Sequence, residues 1–186
     1  MLQMIIQGRG GQGAQKAGEI LAHVFFQEGK YVQAYSTYGG ARRGTPVSSF
    51  IRVDDRPIRL RCDIEHPDVI VCFDPSLLGG PLLDSAGQET LVIINSSKPA
   101  GHFDGLGRFK IATINAIPVA KANNLGRIVN TAVVGAVAGF LGQPGIEDLV
   151  KVVAQTSPAK VQENVNSCWD GYRLAQQKGV SIHGDS

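Results

Sequence analysis

The chain has 186 residues, of which 43% are hydrophobic and 18% charged, with 18 Lys and Arg against 16 Asp and Glu. This composition suits one compact domain over residues 1–186, and the near balance of charge gives no overall field that would imply nucleic acid as the default partner, so any basic site must be local. The longest apolar run, Ala132 to Leu141, has ten residues, about half of the roughly 20 that span a bilayer, and the N-terminus lacks a signal-peptide pattern. We therefore expect a cytoplasmic protein that binds neither nucleic acid nor a membrane.

The first forty residues have the pattern of a strand, a glycine turn, a helix and a second strand. Leu2 to Gln7 form a short apolar run that ends in Gly8-Arg9-Gly10-Gly11-Gln12-Gly13. A helix is predicted next, with Gly29 as its stop signal. The apolar residues that recur there at helical spacing are Ala17, Ile20, Leu21, Val24 and Phe25. Tyr31 to Tyr38 is rich in residues that favour strands, so the whole segment is typical of a βαβ unit.

The next segment predicts a loop and then a β-hairpin. The loop reads Tyr38-Gly39-Gly40-Ala41-Arg42-Arg43-Gly44-Thr45-Pro46 and places two arginines among turn residues. We expect Val47 to Val53 and Arg56 to Arg61 to be two strands joined by a tight turn at Asp54-Asp55. Their alternating pattern would turn Ile58 and Leu60 inward.

The rest of the chain predicts buried strands followed by helices. Asp68 to Phe73 and Thr90 to Asn95 are apolar runs typical of parallel strands covered on both faces, and Phe109 to Ile114 predicts another strand. Helices are expected around 118–124 and over Asn130 to Leu141, Ile146 to Ala154 and Pro158 to Lys178, with a frayed tail from Gly179. The predicted fold is α/β: a single three-layer Rossmann-like domain with a mostly parallel sheet, a hairpin insertion and a helical C-terminal third.

Cysteine and histidine spacing gives no catalytic or metal site. The cysteines are never closer than ten residues to one another, whereas zinc and iron–sulfur sites use close Cys spacings. The four histidines have no carboxylate, serine or cysteine at a spacing that suggests a triad. The residues concerned are Cys62, Cys72, Cys168, His23, His66, His102 and His183. We therefore predict no catalytic residue and no metal ligand in this chain.

The first glycine cluster matches the pattern G-x-G-x-x-G at Gly8, Gly10 and Gly13. In a strand–turn–helix context, such glycines let backbone N–H groups approach a phosphate at the positive end of the helix. An NAD site also needs an acidic residue after the second strand, but no Asp or Glu lies between Glu28 and Asp54. The glycines predict either a phosphate contact or only close packing of strand and helix.

Arg42 and Arg43 stand just past the second strand, where the acidic residue of an NAD site would be. Guanidinium groups pair bidentately with phosphate or carboxylate, so this loop could hold a cofactor phosphate or an acidic group of another subunit. A solvated or interfacial arginine pair is the alternative interpretation. The candidate binding residues are Gly10, Gly11, Gln12, Gly13, Tyr38, Arg42 and Arg43.

These motifs together resemble a known family. Three motifs carry the resemblance, in this order: Gly8-Arg-Gly-Gly-Gln-Gly13, Tyr38-Gly-Gly-Ala-Arg-Arg-Gly44 with Thr45-Pro46-Val47, and Asn130-Thr131 opening a helix of small residues. The chain is thereby similar to the gamma subunit of 2-oxoacid:acceptor oxidoreductases. The group includes pyruvate:ferredoxin oxidoreductase. The resemblance covers nearly the whole chain, in length, motif order and the helical C-terminal third.

The resemblance implies an accessory role in a multi-subunit enzyme. In that family, thiamine diphosphate with Mg²⁺ attacks a 2-oxoacid, CO₂ leaves, iron–sulfur clusters carry the electrons and coenzyme A takes the acyl group. The implied partners are alpha, beta and delta subunits, which hold the thiamine diphosphate and clusters, and ferredoxin or an NAD-linked acceptor. The implied role of this chain is to brace the complex and to help bind coenzyme A at a shared site, since no cofactor is expected on the chain alone.

Two other functions stay open on the sequence. A free-standing Rossmann-like protein could bind NADP or a flavin, with Arg42 or Arg43 on a ribose phosphate. A purely structural subunit could use the same motifs only to contact its neighbours. The sequence also leaves open whether the substrate is pyruvate-like or an aryl 2-oxoacid such as phenylglyoxylate.

Overall fold

The computed structural model describes residues 1–39 and 44–178. Its centre is a six-stranded sheet in the order β2-β3-β1-β4-β5-β6. β1, β4, β5 and β6 are parallel to one another, and β3 runs antiparallel to both of its neighbours. The strands are β1 Leu2–Arg9, β2 Tyr31–Tyr38, β3 Pro46–Asp54, β4 Val69–Cys72, β5 Leu91–Asn95 and β6 Lys110–Ile114. The predicted α/β fold with a mostly parallel sheet is confirmed.

The second half of the chain is mainly helical, as its periodicity predicts. The helices are α1 Ala14–Gln27, α2 Pro81–Asp84, α3 Ala116–Ala122, α4 Asn130–Leu141, α5 Ile146–Thr156 and α6 Val161–Lys178. Two further turns, Pro75–Leu77 and Ala100–Leu106, are 3₁₀ helices. Within the parts of the chain that the structure describes, no helix has the length and apolar character needed to cross a bilayer.

Both faces of the sheet are covered, which gives the three layers of the predicted fold. α1, α4, α5 and α6 pack on one face around residues such as Ile6, Ile51 and Val71. The other face is covered by shorter segments that contribute Ile64, Leu82, Leu83 and Phe103, packed on Ile5, Ile70, Val92, Ile94 and Ile111. All four residues of β4 are buried, because a central parallel strand has no solvent side.

The hairpin is present, but its strands are not the ones predicted. β3 pairs with β2 on one side and β1 on the other, so β1 and β2 of the βαβ segment are parallel with β3 between them. Residues 56–61 form no strand, because both edges of β3 are already paired. Leu60, predicted to face inward, is 44% exposed.

A buried arginine holds the residues that directly follow the segment wrongly predicted as a strand. Arg52, 1% exposed, donates hydrogen bonds from Nη2 to the carbonyl oxygens of Cys62 and Asp63, at 2.8 and 2.9 Å. Its Nε and Nη1 donate to the amide oxygens of Gln3 and Gln33, at 3.0 and 2.8 Å. Gln33 Nε2 also donates to Leu60 O at 2.9 Å, so side-chain bonds, and not a strand ladder, fix the segment and the residues after it to the sheet.

Glycines allow a close contact between helices α4 and α6. A Cβ on Gly135 of α4 would overlap the carbonyl oxygen of Cys168, and a Cβ on Gly171 of α6 would overlap that of Ala132. The two backbones are in direct contact at these positions. This contact fixes α4, whose first residue, Asn130, lies beside Gly13 at the start of α1.

Replacing Gly135 with Ala should destabilise the protein by about 1 to 3 kcal/mol or more, because the added methyl group must push two packed helices apart. Gly105→Ala is the matched control, since a Cβ at that position meets nothing within 4 Å. Thermal or chemical unfolding of the two variants measures the difference. Equal stability of Gly135→Ala and the wild type would contradict the packing described above.

Candidate functional site

A cleft opens at the carboxyl ends of β1, β4 and β5. In open α/β sheets this edge is where ligands bind. The cleft has a volume of about 920 Å³ and is lined by Gly10, Gly11, Gln12, Phe73, Asp74, Pro75, Asn95, Ile117, Lys121, Arg127 and Val129. Its walls thus combine a glycine loop, apolar side chains, two cations and the Asp74 carboxylate.

The glycine loop presents backbone N–H groups beside this cleft, two of which have no partner in the described part of the chain. Gly10 N donates to Thr45 O at 2.9 Å, and Gln12 N donates to Arg9 O at 3.0 Å. The N–H groups of Gly11 and Gly13 have no partner among residues 1–39 and 44–178. Gly11 has a φ of 95° and open space around it, so it is free to face a ligand.

Packing also explains two of the three glycines in the motif. A Cβ at Gly8 would lie 3.0 Å from the Cβ atoms of Ala14 and Phe73. Gly13 has a φ of 87°, and a Cβ there would lie 3.0 Å from the Cβ of Asn130. The two interpretations of this motif are therefore compatible, with Gly8 and Gly13 bringing elements together and Gly11 facing the cleft.

Two helix N-termini meet at the Gly13–Asn130 contact. α1 begins after Gly13, and α4 begins at Asn130. Neither helix has a side-chain cap or an acidic residue in its first turn. Because helix N-termini carry partial positive charge, this end of the sheet favours an anion.

Two cations add to this positive potential. Lys121 on α3 and Arg127, just before α4, line the cleft and are exposed. Within the described ranges, neither side chain has an ion-pair partner. Both are therefore available to a bound anion.

Arg9 is the third cation near the cleft, and its hydrogen bonds join three segments. Its Nε donates to Asp74 Oδ2 at 3.1 Å, Nη1 to Gly44 O at 3.1 Å and Nη2 to Ser76 Oγ at 2.8 Å. The residue thus links the end of β1 to the turn after β4 and to the residue that follows the arginine pair.

Asp74 is an anchoring carboxylate in this network. Ser76 Oγ donates to its Oδ1 at 2.6 Å, and Gln12 Nε2 donates to its Oδ2 at 3.1 Å. The hydrogen bond from the Ser76 side chain is the main cause that lowers the pKa of Asp74, with smaller contributions from the Ser76 N–H, Gln12 and Arg9, against partial burial. The carboxylate stays ionised and paired, which suits a structural role better than proton transfer.

Asn95, at the end of β5, fixes the wall of the cleft opposite the glycine loop. Its Nδ2 donates to Phe73 O at 3.1 Å, and its Oδ1 accepts from Ala116 N at 3.0 Å. The first bond holds the end of β4, and the second holds the start of α3. The position of Lys121 on α3 follows from this link.

The structure brings together part of the predicted site. Gly10, Gly11 and Gln12 line the cleft, and Gly13 lies at the start of α1. Tyr38 lies apart from them, at the end of β2, where it is 59% exposed and lines a separate pocket of about 300 Å³. Arg42 and Arg43 lie outside the described residues.

Sequence reasoning missed Arg9, Asp74, Asn95, Lys121 and Arg127. Asp74 and Asn95 could have been found, because each directly follows an apolar run predicted as a parallel strand, whose carboxyl end borders the ligand edge. Lys121 and Arg127 gave no comparable signal, since solvated cations on helices and turns are common.

Asp74→Asn should lower stability at neutral pH, and the loss should shrink in acid. The lowered pKa means that the ionised carboxylate stabilises the fold fully above its ordinary value of 3.8 and loses that contribution as the pH falls toward the lower folded value. Denaturant unfolding from pH 7 down to pH 3 measures this, with the exposed Asp84→Asn as control. A loss of stability that is independent of pH would contradict the role of the charge.

Comparison with known proteins identifies the family. The model of the pyruvate ferredoxin/flavodoxin oxidoreductase family matches residues 3–174. The chain is 41% identical over 165 residues to pyruvate synthase subunit PorC of Methanothermobacter thermautotrophicus, covering 88% of this chain and 89% of that subunit. It is 38% identical over 181 residues to the pyruvate/ketoisovalerate oxidoreductases common subunit gamma of Pyrococcus furiosus, covering 95% and 98%.

A solved structure agrees with these sequence relatives. The crystal structure of pyruvate oxidoreductase subunit PORC from Thermotoga maritima superposes with a TM-score of 0.82 at 28% identity, covering 92% of this chain and 95% of that one. The resemblance inferred from the glycine and arginine motifs is thereby confirmed. The chain belongs to the pyruvate ferredoxin/flavodoxin oxidoreductase family.

Proposed function

We propose that this chain is the gamma subunit of a multi-subunit 2-oxoacid:acceptor oxidoreductase and that its cleft holds the phosphate-bearing part of coenzyme A. The complete enzyme would convert a 2-oxoacid, coenzyme A and an oxidised acceptor into acyl-coenzyme A, CO₂ and reduced acceptor. Thiamine diphosphate, Mg²⁺ and iron–sulfur clusters would belong to alpha, beta and delta subunits. The names of the relatives, pyruvate synthase and pyruvate/ketoisovalerate oxidoreductase subunits, favour a small, pyruvate-like substrate and a subunit over a free-standing NADP- or flavin-binding protein.

The single observation that carries the cofactor proposal is the cationic cleft at the carboxyl edge of the sheet. Its volume of about 920 Å³ lies within the usual size of small-molecule sites, about 300 to 1,000 Å³. Lys121 and Arg127 supply two cations that have no ion-pair partner among the described residues and that outnumber the one carboxylate of the lining, Asp74. The Gly11 N–H supplies a backbone donor. Phosphate oxygens are the acceptors that such a set of donors binds best.

Apolar side chains line the same cleft and fit the uncharged parts of coenzyme A. Phe73, Pro75, Ile117 and Val129 all line it. A ring or an alkyl chain could contact these side chains while the phosphates meet the cations and the glycine loop. A free inorganic anion would leave this apolar surface unused, so the cleft suits a large phosphate ester better.

Arg42 and Arg43 complete the proposed binding surface. The residues that flank them are tied to the site, because Gly39 N donates to Pro46 O at 2.9 Å and Gly44 O accepts from Arg9. Gly39 and Gly44, which border the arginines in sequence, therefore both lie near the end of β1. We propose that one of these guanidinium groups pairs with a phosphate of coenzyme A, and that Tyr38 flanks this segment.

The role of this chain is to bind and orient, while the reaction steps belong to its partners. Coenzyme A, when bound, supplies the thiol that accepts the acyl group. The Cys72 thiol near the cleft is fully buried, and this burial raises its pKa to about 12, so it would not act as a nucleophile. Asp74 is ionised and paired, and is therefore not available as a proton donor.

Lys121→Ala and Arg127→Ala should each raise the KM for coenzyme A about 10-fold to 150-fold in the assembled enzyme. This range corresponds to the loss of about 1.5 to 3 kcal/mol for a charge-assisted hydrogen bond. Arg59→Ala is the control, because it removes an exposed cation that does not line the cleft. An unchanged KM in both cleft variants would contradict the proposal that coenzyme A binds in this cleft.

Arg42→Ala and Arg43→Ala distinguish a cofactor contact from a subunit contact. If either arginine binds coenzyme A, its removal should raise the KM on the same scale, while decarboxylation and the amount of gamma subunit that co-purifies stay constant. If the arginines pair instead with a carboxylate of a sister subunit, co-purification should fall first, because a buried partner charge is left unpaired. Full assembly with an unchanged KM in both variants would end both interpretations.

A further inference from the structure

β2 is an edge strand without the usual protection against pairing. It has eight residues and lies at one end of the sheet. Its sequence, Tyr31 to Tyr38, contains no charged residue and no proline. Natural edge strands are commonly blocked by charge, proline, a bulge or short length, so this edge is suited to receive another strand.

The bonding pattern of the sheet shows which residues of β2 face outward. Gln3 O and Gln7 O accept from the β4 side of β1, so the even-numbered residues of β1 bond to β3. The register pairs even-numbered residues of β1 with odd-numbered residues of β3, so the odd-numbered residues of β3 bond to β1 and its even-numbered residues bond to β2. The backbone groups that point to the free edge therefore belong to Val32, Ala34, Ser36 and Tyr38, and they have no partner in the described part of the chain.

The strand at the opposite edge of the sheet, β6, is shorter, carries a charged residue and has part of its outer edge occupied. β6 has only five residues and begins with Lys110. Lys110 N donates to Thr90 O and Ile114 O accepts from Ser96 N, so Ile111 and Thr113 are the residues that face outward. Lys178 Nζ donates to Thr113 O at 3.4 Å. Only β2 thus combines length, neutrality and a free row of donors and acceptors within the described residues.

We propose that β2 pairs antiparallel with β2 of a second copy of this chain, about a two-fold axis through Tyr35. In this register Val32 lies opposite Tyr38 of the second copy, and Ala34 lies opposite Ser36 of the second copy. All outward-facing N–H and C=O groups of both strands are then paired, since outward residues meet outward residues. An axis through Ala34 would place Lys30 opposite Tyr38 and leave Tyr38 O unpaired, because Lys30 N already donates to Phe25 O.

The side chains of β2 are compatible with this self-pairing. Tyr35 stacks on Phe50 at a centroid distance of 4.8 Å, and the axis brings two such stacks together on one face. On the other face, Ala34 and Ser36 are small and leave room beside α1. The neutral strand places no like charges opposite one another, which a two-fold axis would otherwise require. This inference does not depend on the proposed coenzyme A site.

Disulfide trapping tests both the contact and its register. In a Cys62→Ser background, Tyr35→Cys should give a disulfide-linked dimer of the gamma chain, because residue 35 faces itself at a non-hydrogen-bonded position within disulfide reach. Thr37→Cys is the matched control on the same face of the same strand. Its two copies would lie about 13 Å apart along the strands and should not link. Trapping in the purified chain and in the assembled enzyme should give the same gamma–gamma product.

Ala34→Pro removes an outward N–H while leaving the bonds between β2 and β3, since proline is tolerated on the open side of an edge strand. It should weaken dimerisation at least tenfold in sedimentation experiments, and Ala34→Lys should do the same through charge repulsion. Circular dichroism confirms that both variants fold. A monomeric wild type, a disulfide from the Tyr35→Cys variant to a different subunit of the complex, or equal linking at positions 35 and 37 would each overturn the proposal.

Discussion

The ion pair between Arg9 and Asp74 holds together the carboxyl edge of the sheet, where the cleft lies. A parallel sheet places the ends of β1 and β4 side by side, but it does not fix the turns that follow them. Arg9 supplies that constraint, because its donors reach Asp74, Ser76 and Gly44 at once. The glycine loop, the turn after β4 and the end of the arginine segment are therefore positioned as one unit.

Much of the fold could be predicted from the sequence, because its signals are local. The apolar runs of β4 and β5 and the periodicity of α1 predict buried parallel strands and a helix, and the structure has all three. The hairpin prediction failed at Arg56 to Arg61 because alternation alone does not reveal that β3 already has two neighbours. The pairing of β3 with β1 joins residues far apart in sequence, so it cannot be read from the local pattern around β3.

The candidate site shows the same division between local and distant information. The glycine motif is contiguous in sequence and could be recognised directly, together with its position at a helix start. Lys121 and Arg127 reach the cleft only because Asn95 anchors α3 and because glycine contacts hold α4 against α6. Their contribution depends on packing between helices, which single-sequence reasoning does not supply.

The two arginine networks at opposite ends of β1 differ in the chemistry of their acceptors. Arg52 donates to the uncharged oxygens of two glutamine amides and two backbone carbonyls, and to Cys62 Sγ at 3.9 Å. None of these acceptors gains a proton in acid, whereas Asp74 at the other end does once the pH falls through its lowered pKa. Acidification therefore weakens the Arg9–Asp74 network, while the hydrogen bonds donated by Arg52 keep their acceptors. A single strand therefore carries one arginine network that responds to acid and one whose own acceptors do not.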